Sequence, residues 1–114
     1  MLDLTIQAIQ SSLDGLAARQ RIIAQNLANA ETPGYIAKNV SFEDSLRSAM
    51  ASGDPSQTAI TTSNTSDPTL PNGNNVQVDA QTVALVDTGL RYQLATVSMN
   101  NEFNILRDSL RQDL

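Results

Sequence analysis

The sequence predicts an all-α fold: two long terminal helices forming an antiparallel coiled-coil-like pair, with a short extra helix and a long polar loop between them. Three observations lead there. Apolar residues recur at alternating steps of four and three through residues 1–31. Two apolar stripes at helical spacing run through residues 76–114. Between them, residues 52–75 read SGDPSQTAITTSNTSDPTLPNGNN and hold three of the protein's four prolines. Such a composition buries too little apolar surface to offset its ordering entropy.

In the first segment, residues 1–31, the seam comprises Leu2, Ile6, Ile9, Leu13, Leu16, Ile23, Leu27 and Ala30, with Gln20 the one polar member. This is heptad spacing, the signature of a helix that packs along another helix. Gly15 interrupts the helix at a cost of up to about 1 kcal/mol relative to Ala, and marks either a tolerated defect or a point of close helix approach. Pro33 lacks an N–H and pushes Thr32 out of the α region, so the helix must end by about Glu31. Thr32-Pro33-Gly34-Tyr35 suits a type II turn, with Pro second and Gly third. Asn26 and Asn29 share one face of the last turns. They are either solvated residues at a fraying end or hydrogen-bonding groups that lock the turn or a neighbouring subunit.

The middle segment, residues 32–75, starts with that turn. Ser41 reads as an N-cap with Asp44 as its capping-box partner, opening a short helix that Gly53 and Pro55 close. The rest of this segment reads as a flexible connection or a loop held only by partners, ending in a turn signal at Pro71-Asn72-Gly73-Asn74-Asn75. The last segment, residues 76–114, reads as one helix with Asp79 as N-cap. Val83, Val86, Leu90, Leu94 and Val97 form its first stripe; Met99, Phe103, Leu106 and Leu110 form a second, after a phase slip near Met99.

Charge and residue usage narrow the function. The 114 residues carry a formal net charge of −5 and include no His or Cys, and only 4% of them are aromatic. An acidic protein with no basic cluster argues against nucleic acid and anionic membrane surfaces as partners. Disulfides, thiolates and imidazole chemistry are excluded. An enzyme would need carboxylate, lysine or serine chemistry. The lone Lys38 lies beside a turn, however, and Glu43 and Asp44 are accounted for by a helix N-terminus. No catalytic, cofactor-binding or metal-binding residue is expected, and no cofactor. No cleavable secretory signal and no membrane-inserting stretch is expected either. A two-helix hairpin covers one side of each helix, and Leu4, Ala8, Ile22, Ala24 and Ala28 lie off the first seam. Other subunits are therefore expected to finish the fold.

The segment IAQNLANAETPGY at 23–35 resembles the N-terminal signature of the flagellar axial proteins, the rod, hook and hook-associated subunits. Asn26, Leu27, Ala28, Asn29, Thr32, Gly34 and Tyr35 match its pattern. FEDSLRSAM at 42–50, NGNNV at 72–76 and GLRYQ at 89–93 resemble the proximal rod subunits within that family. The resemblance implies a structural subunit of the bacterial flagellar basal body, in the periplasmic rod, that polymerises through its terminal helices and transmits torque from motor to hook. It implies copies of itself and other rod proteins as partners, with an adaptor and the MS-ring/export-gate components at the rod base. It also implies type III export without signal cleavage. On that reading the assembly interface comprises the first-helix seam from Leu2 to Leu27 together with Val86, Leu90, Leu94, Val97, Phe103, Leu106 and Leu110. The isolated subunit is expected to be monomeric or weakly associated, with terminal helices that order on polymerisation. A soluble coiled-coil adaptor or export chaperone is the alternative.

Overall fold

The computed structural model describes the backbone of residues 2–112 and the side chains of residues 3–112. The side chain of Leu2, the first member of the expected seam, lies outside the described residues, as do positions 113–114 of the last segment. The molecule is elongated, 68 × 26 × 14 Å. Helix α1 spans Leu2–Ala28, α2 Glu43–Ala51 and α3 Val78–Gln112. Strands β1 (Lys38–Ser41) and β2 (Thr61–Asn64) pair antiparallel, Lys38 opposite Asn64 and Ser41 opposite Thr61. A single 3₁₀ turn covers Pro55–Gln57.

The two long helices lie against each other. Asn26 meets Gln81, Gln20 lies over Gly89, and Ala95 packs against the cluster of Leu16, Val40 and Phe42. On α1, Leu16 and Ile23 are buried, and Ile6, Ile9, Leu13 and Leu27 are half-buried. Ala8, off that seam, is also buried, on a helix against which α2 and the 3₁₀ turn both pack. The subunit itself thus covers part of the surface expected to need a neighbour.

The segment expected to be a loose connection is instead ordered against α1. Ser11 Oγ donates to the Pro55 carbonyl at 2.9 Å, and the Asp54 carboxylate caps the 3₁₀ turn by accepting from the Ser56 N–H. β2 closes on β1, and the Thr65 N–H continues the contact by donating to the Ala37 carbonyl at 2.8 Å. Backbone hydrogen bonding, rather than apolar burial, orders β2, whose four residues are all exposed. Two cap assignments also change. Ser41 is the last residue of β1, engaged in the ladder, so Phe42 stands at the N-cap of α2 with no side-chain cap. Asp44 pairs with Arg47 at 3.1 Å. α3 starts at Val78, which places Asp79 inside its first turn, where its charge complements the helix dipole.

Gly15 earns its place through Phe42. A Cβ built on Gly15 would lie 2.5 Å from the Phe42 ring. The close approach is therefore by an aromatic face arriving from the β1–α2 corner, not by a second helix. Arg19, one turn further on, closes over the same ring, its guanidinium 4.9 Å from the centroid. It donates to both carboxylate oxygens of Glu43 at 2.7 and 2.6 Å and to the Val40 carbonyl at 2.9 Å. This bidentate hydrogen bond lowers the Glu43 carboxyl from 4.5 to about 2.

Two outcomes follow from this corner. Gly15→Ala gains helix propensity yet forces the Phe42 ring aside, a net loss of about 1–2 kcal/mol measurable by urea denaturation. Because the folded-state value of Glu43 is depressed, its contribution is present above pH 4.5 and is lost as pH falls toward 2. The gap in urea midpoint between the wild-type protein and Glu43→Gln should therefore close across that window.

Candidate functional site

Two groups of residues stand out: a knot of buried amides where the first helix ends, and the outer side of α3. The knot starts with Asn26, whose side chain is fully buried. A neutral carboxamide offers two donors and two acceptor lone pairs, and all four are used. Nδ2 donates to the Lys38 carbonyl at 2.8 Å and to Gln81 Oε1 at 3.0 Å. Oδ1 accepts from the Lys38 N–H at 3.0 Å and from Tyr35 Oη at 3.2 Å. One residue thereby ties the end of α1 to the first residue of β1, to the turn and to the start of α3.

Asn74 and Asn75 complete the knot from the other half of the protein. Asn74 Nδ2 donates to the carbonyls of Asn29 (2.9 Å) and Thr32 (2.8 Å), and its Oδ1 accepts from the Val76 N–H at 2.8 Å. Asn75 Oδ1 accepts from the Ala37 N–H at 2.7 Å, while its Nδ2 donates to Thr65 Oγ1 and the Asp67 carbonyl. Asn29 works locally. Its amide donates to the Gln25 carbonyl and its Oδ1 accepts from Thr32 Oγ1. Among the described residues, no buried side-chain polar atom lacks a partner.

The turns themselves dock backbone to backbone. Gly34 has φ +75°, and the Tyr35 N–H donates to the Thr32 carbonyl at 3.2 Å, the geometry in which Pro33 and Gly34 occupy the middle of a type II turn. The Gly34 N–H donates to the Asn72 carbonyl at 2.9 Å. Gly73, at φ +84°, faces it so closely that an added Cβ would lie 3.2 Å from Gly34 Cα. Thr32, Pro33, Gly34 and Tyr35 therefore belong to one clamp with Asn72, Gly73, Asn74 and Asn75. The sequence marked both turns but carried no sign that they meet.

The outer side of α3 is the second group. The residues turned inward are Gln81, Ala84, Leu85, Thr88, Gly89, Ala95, Ser98, Met99, Glu102 and Leu106, buried or half-buried along one side of the helix. Several are small or polar. Val83, Val86, Leu90, Leu94 and Val97 stand on the opposite side, 55–69% exposed. Phe103 and Leu110 continue the exposed surface. No helix among the described residues is long and apolar enough to cross a membrane. No group of three or more metal-binding side chains is found among them.

Residues 6–35 match the family model described as flagella basal body rod protein. Over most of its length the protein is also similar to the flagellar basal body rod protein FlgB of Bacillus subtilis. Identity is 31%, with 93% of this chain and 92% of the relative covered. The chain belongs to the FlgB family of flagellar basal body rod proteins. The FlgB of Borreliella burgdorferi is also 31% identical, over 74% of this chain and 78% of that protein. The FlgB of Escherichia coli is 25% identical, over 96% and 95%. The part matched by the family model carries one half of the clamp, Asn26 to Tyr35; the 72–75 half lies beyond it.

Removing the central amide tests the clamp. Asn26→Ala leaves the Lys38 peptide groups and Gln81 without their buried partner and should cost about 3 kcal/mol. Asn26→Asp should cost more at neutral pH, because a carboxylate cannot donate to the Lys38 carbonyl or to Gln81 Oε1. Burial raises the introduced carboxyl's pKa. Its penalty is thus absent below the unfolded value of about 3.9 and grows as pH rises toward the folded value. Urea midpoints of Asn26→Asp relative to wild type should accordingly recover on acidification.

Proposed function

We propose that this protein, a structural subunit of the flagellar basal-body rod, polymerises through an antiparallel coiled-coil-like pair of terminal helices into the proximal rod. There it transmits torque from motor to hook. The supporting observation is the two-sidedness of α3. Its inner side, built from Thr88, Gly89 and Ala95 among others, already rests on α1, while its most apolar stripe, Val83 to Val97, is left outside. An unbroken exposed apolar stripe of this kind is a surface made for a partner.

Magnitudes favour a polymer over a dimer. Covering the remaining exposed area of five Val and Leu side chains is worth about 5–9 kcal/mol at ordinary transfer values. Association costs an estimated 4–15 kcal/mol in lost freedom and ordering. One helix laid on the stripe therefore comes near balance, and lateral contacts to several neighbours at once supply the surplus. The α1 seam residues Ile6, Ile9, Leu13, Leu16, Ile23 and Leu27 hold the pair together. Val86, Leu90, Leu94, Val97, Phe103 and Leu110 meet neighbouring copies and other rod proteins. The clamp sets the height at which the polypeptide leaves the helical wall. On this reading the rod base contacts an adaptor and the MS-ring/export-gate components. The subunit reaches the periplasm by the flagellar export route without signal cleavage and performs no catalysis.

The test separates folding from assembly. Val83→Asp and Leu90→Asp alter side chains already in water, so each should change subunit stability by no more than about 0.5 kcal/mol in urea denaturation. Both should abolish recovery of the subunit with basal bodies and abolish motility. Wild-type motility with either variant overturns the proposal.

A further inference from the structure

Asn72-Gly73 is the one Asn-Gly pair in the sequence. This dipeptide is chemically unstable wherever the backbone is free, because glycine places no side chain in the way of ring closure. The backbone nitrogen of Gly73, once deprotonated, attacks Asn72 Cγ. A new C–N bond forms, the bond from Cγ to the carboxamide nitrogen breaks and ammonia leaves. Water then opens the resulting succinimide to aspartate or isoaspartate. Nothing is oxidised or reduced.

In the closed clamp the attacking nitrogen and the carboxamide oxygen are both engaged. The Gly73 N–H donates to the Leu70 carbonyl at 2.8 Å, which opposes loss of its proton. Asn72 Oδ1 accepts from the Asn74 N–H at 3.1 Å, which fixes the side chain in a local turn. The Asn72 carbonyl is held by the Gly34 N–H at 2.9 Å, and the Leu70 N–H donates to the Asn74 carbonyl at 2.7 Å. The Gly73 backbone is further held against Gly34 Cα. The Asn72 side chain itself is exposed, so access of water does not protect it; conformation does.

We propose that Asn72-Gly73 is a self-modification site that the asparagine clamp keeps shut: deamidation proceeds while the clamp is open and is suppressed once it closes. The product also blocks closure. Isoaspartate routes the backbone through the former side-chain atoms and adds one carbon to its path. That displaces the carbonyl which Gly34 needs, along with the register of Asn74 and Asn75. Residue 72 therefore records how long a molecule has spent unclamped, and a modified molecule does not clamp in register. This inference rests on the clamp geometry and not on the rod assignment.

The full-length protein is incubated at mildly alkaline pH in buffer and in denaturing urea, and isoaspartate and aspartate at residue 72 are followed by peptide mass spectrometry. Conversion is expected to be about tenfold or more faster in urea, the factor imposed by a local opening that costs about 1.4 kcal/mol. Asn74→Ala, which removes the bonds to the Asn29 and Thr32 carbonyls and to the Val76 N–H, should convert at an intermediate rate in buffer. If circular dichroism shows that variant unfolded, it should convert at the urea rate, and the wild-type pair of rates decides the matter. Equal wild-type rates in buffer and urea overturn the proposal, as does a first conversion at any asparagine other than Asn72.

Discussion

The fold turns on four hydrogen bonds made by one uncharged side chain. Where α1 ends, the backbone must reverse into β1 while α3 starts beside it, which turns the peptide groups of Lys38 in toward the buried Asn26 side chain. Each such group left unpaired costs on the order of 1–3 kcal/mol. Asn26 satisfies both of them and still reaches Tyr35 and Gln81. Neither a shorter nor a charged residue could do this, since only a carboxamide supplies two donors and two acceptors at that reach. Once Lys38 is placed, Val40 and Phe42 fall onto Leu16 and Gly15. Once Gln81 is placed, the rotation of α3 about its axis is set, and with it which of its sides faces out.

That rotation explains why the greasiest stripe of the molecule is in water. Apolar residues seek the interior, but the inside also takes small and polar residues when geometry and hydrogen bonds favour them. Gln81 is drawn in by Asn26, Gly89 lies against Gln20, and Thr88 is buried beside them. With those three turned inward, Val83, Val86 and Leu90 are carried around to the far side of the helix. The clamp is thus structural within one subunit, yet it also orients the exposed apolar stripe of α3. Its asparagines carry no charge at any ordinary pH, whereas the neighbouring corner relies on the ionised Glu43 held by Arg19.

The sequence by itself determined the two long helices, the short α2, and the turn at Thr32-Pro33-Gly34-Tyr35. Period and punctuation are local properties that neighbours in sequence enforce: the four/three spacing of α1, the missing N–H of Pro33, the positive φ that Gly34 tolerates. It also carried the family resemblance in NLANAETPGY and NGNN. Tertiary structure decided everything that joins residues far apart. Strands KNVS and TTSN show no alternation of apolar and polar residues, so only their pairing makes them strands. Ser41 was lost as a helix cap because that ladder engaged it. The side of α3 that faces inward was open between its apolar stripe and its small, polar one. Apolarity alone favours the former; the buried amide of Asn26 and its bond to the half-buried Gln81 chose the latter, because an unpaired buried polar group costs as much as a buried Val or Leu gains.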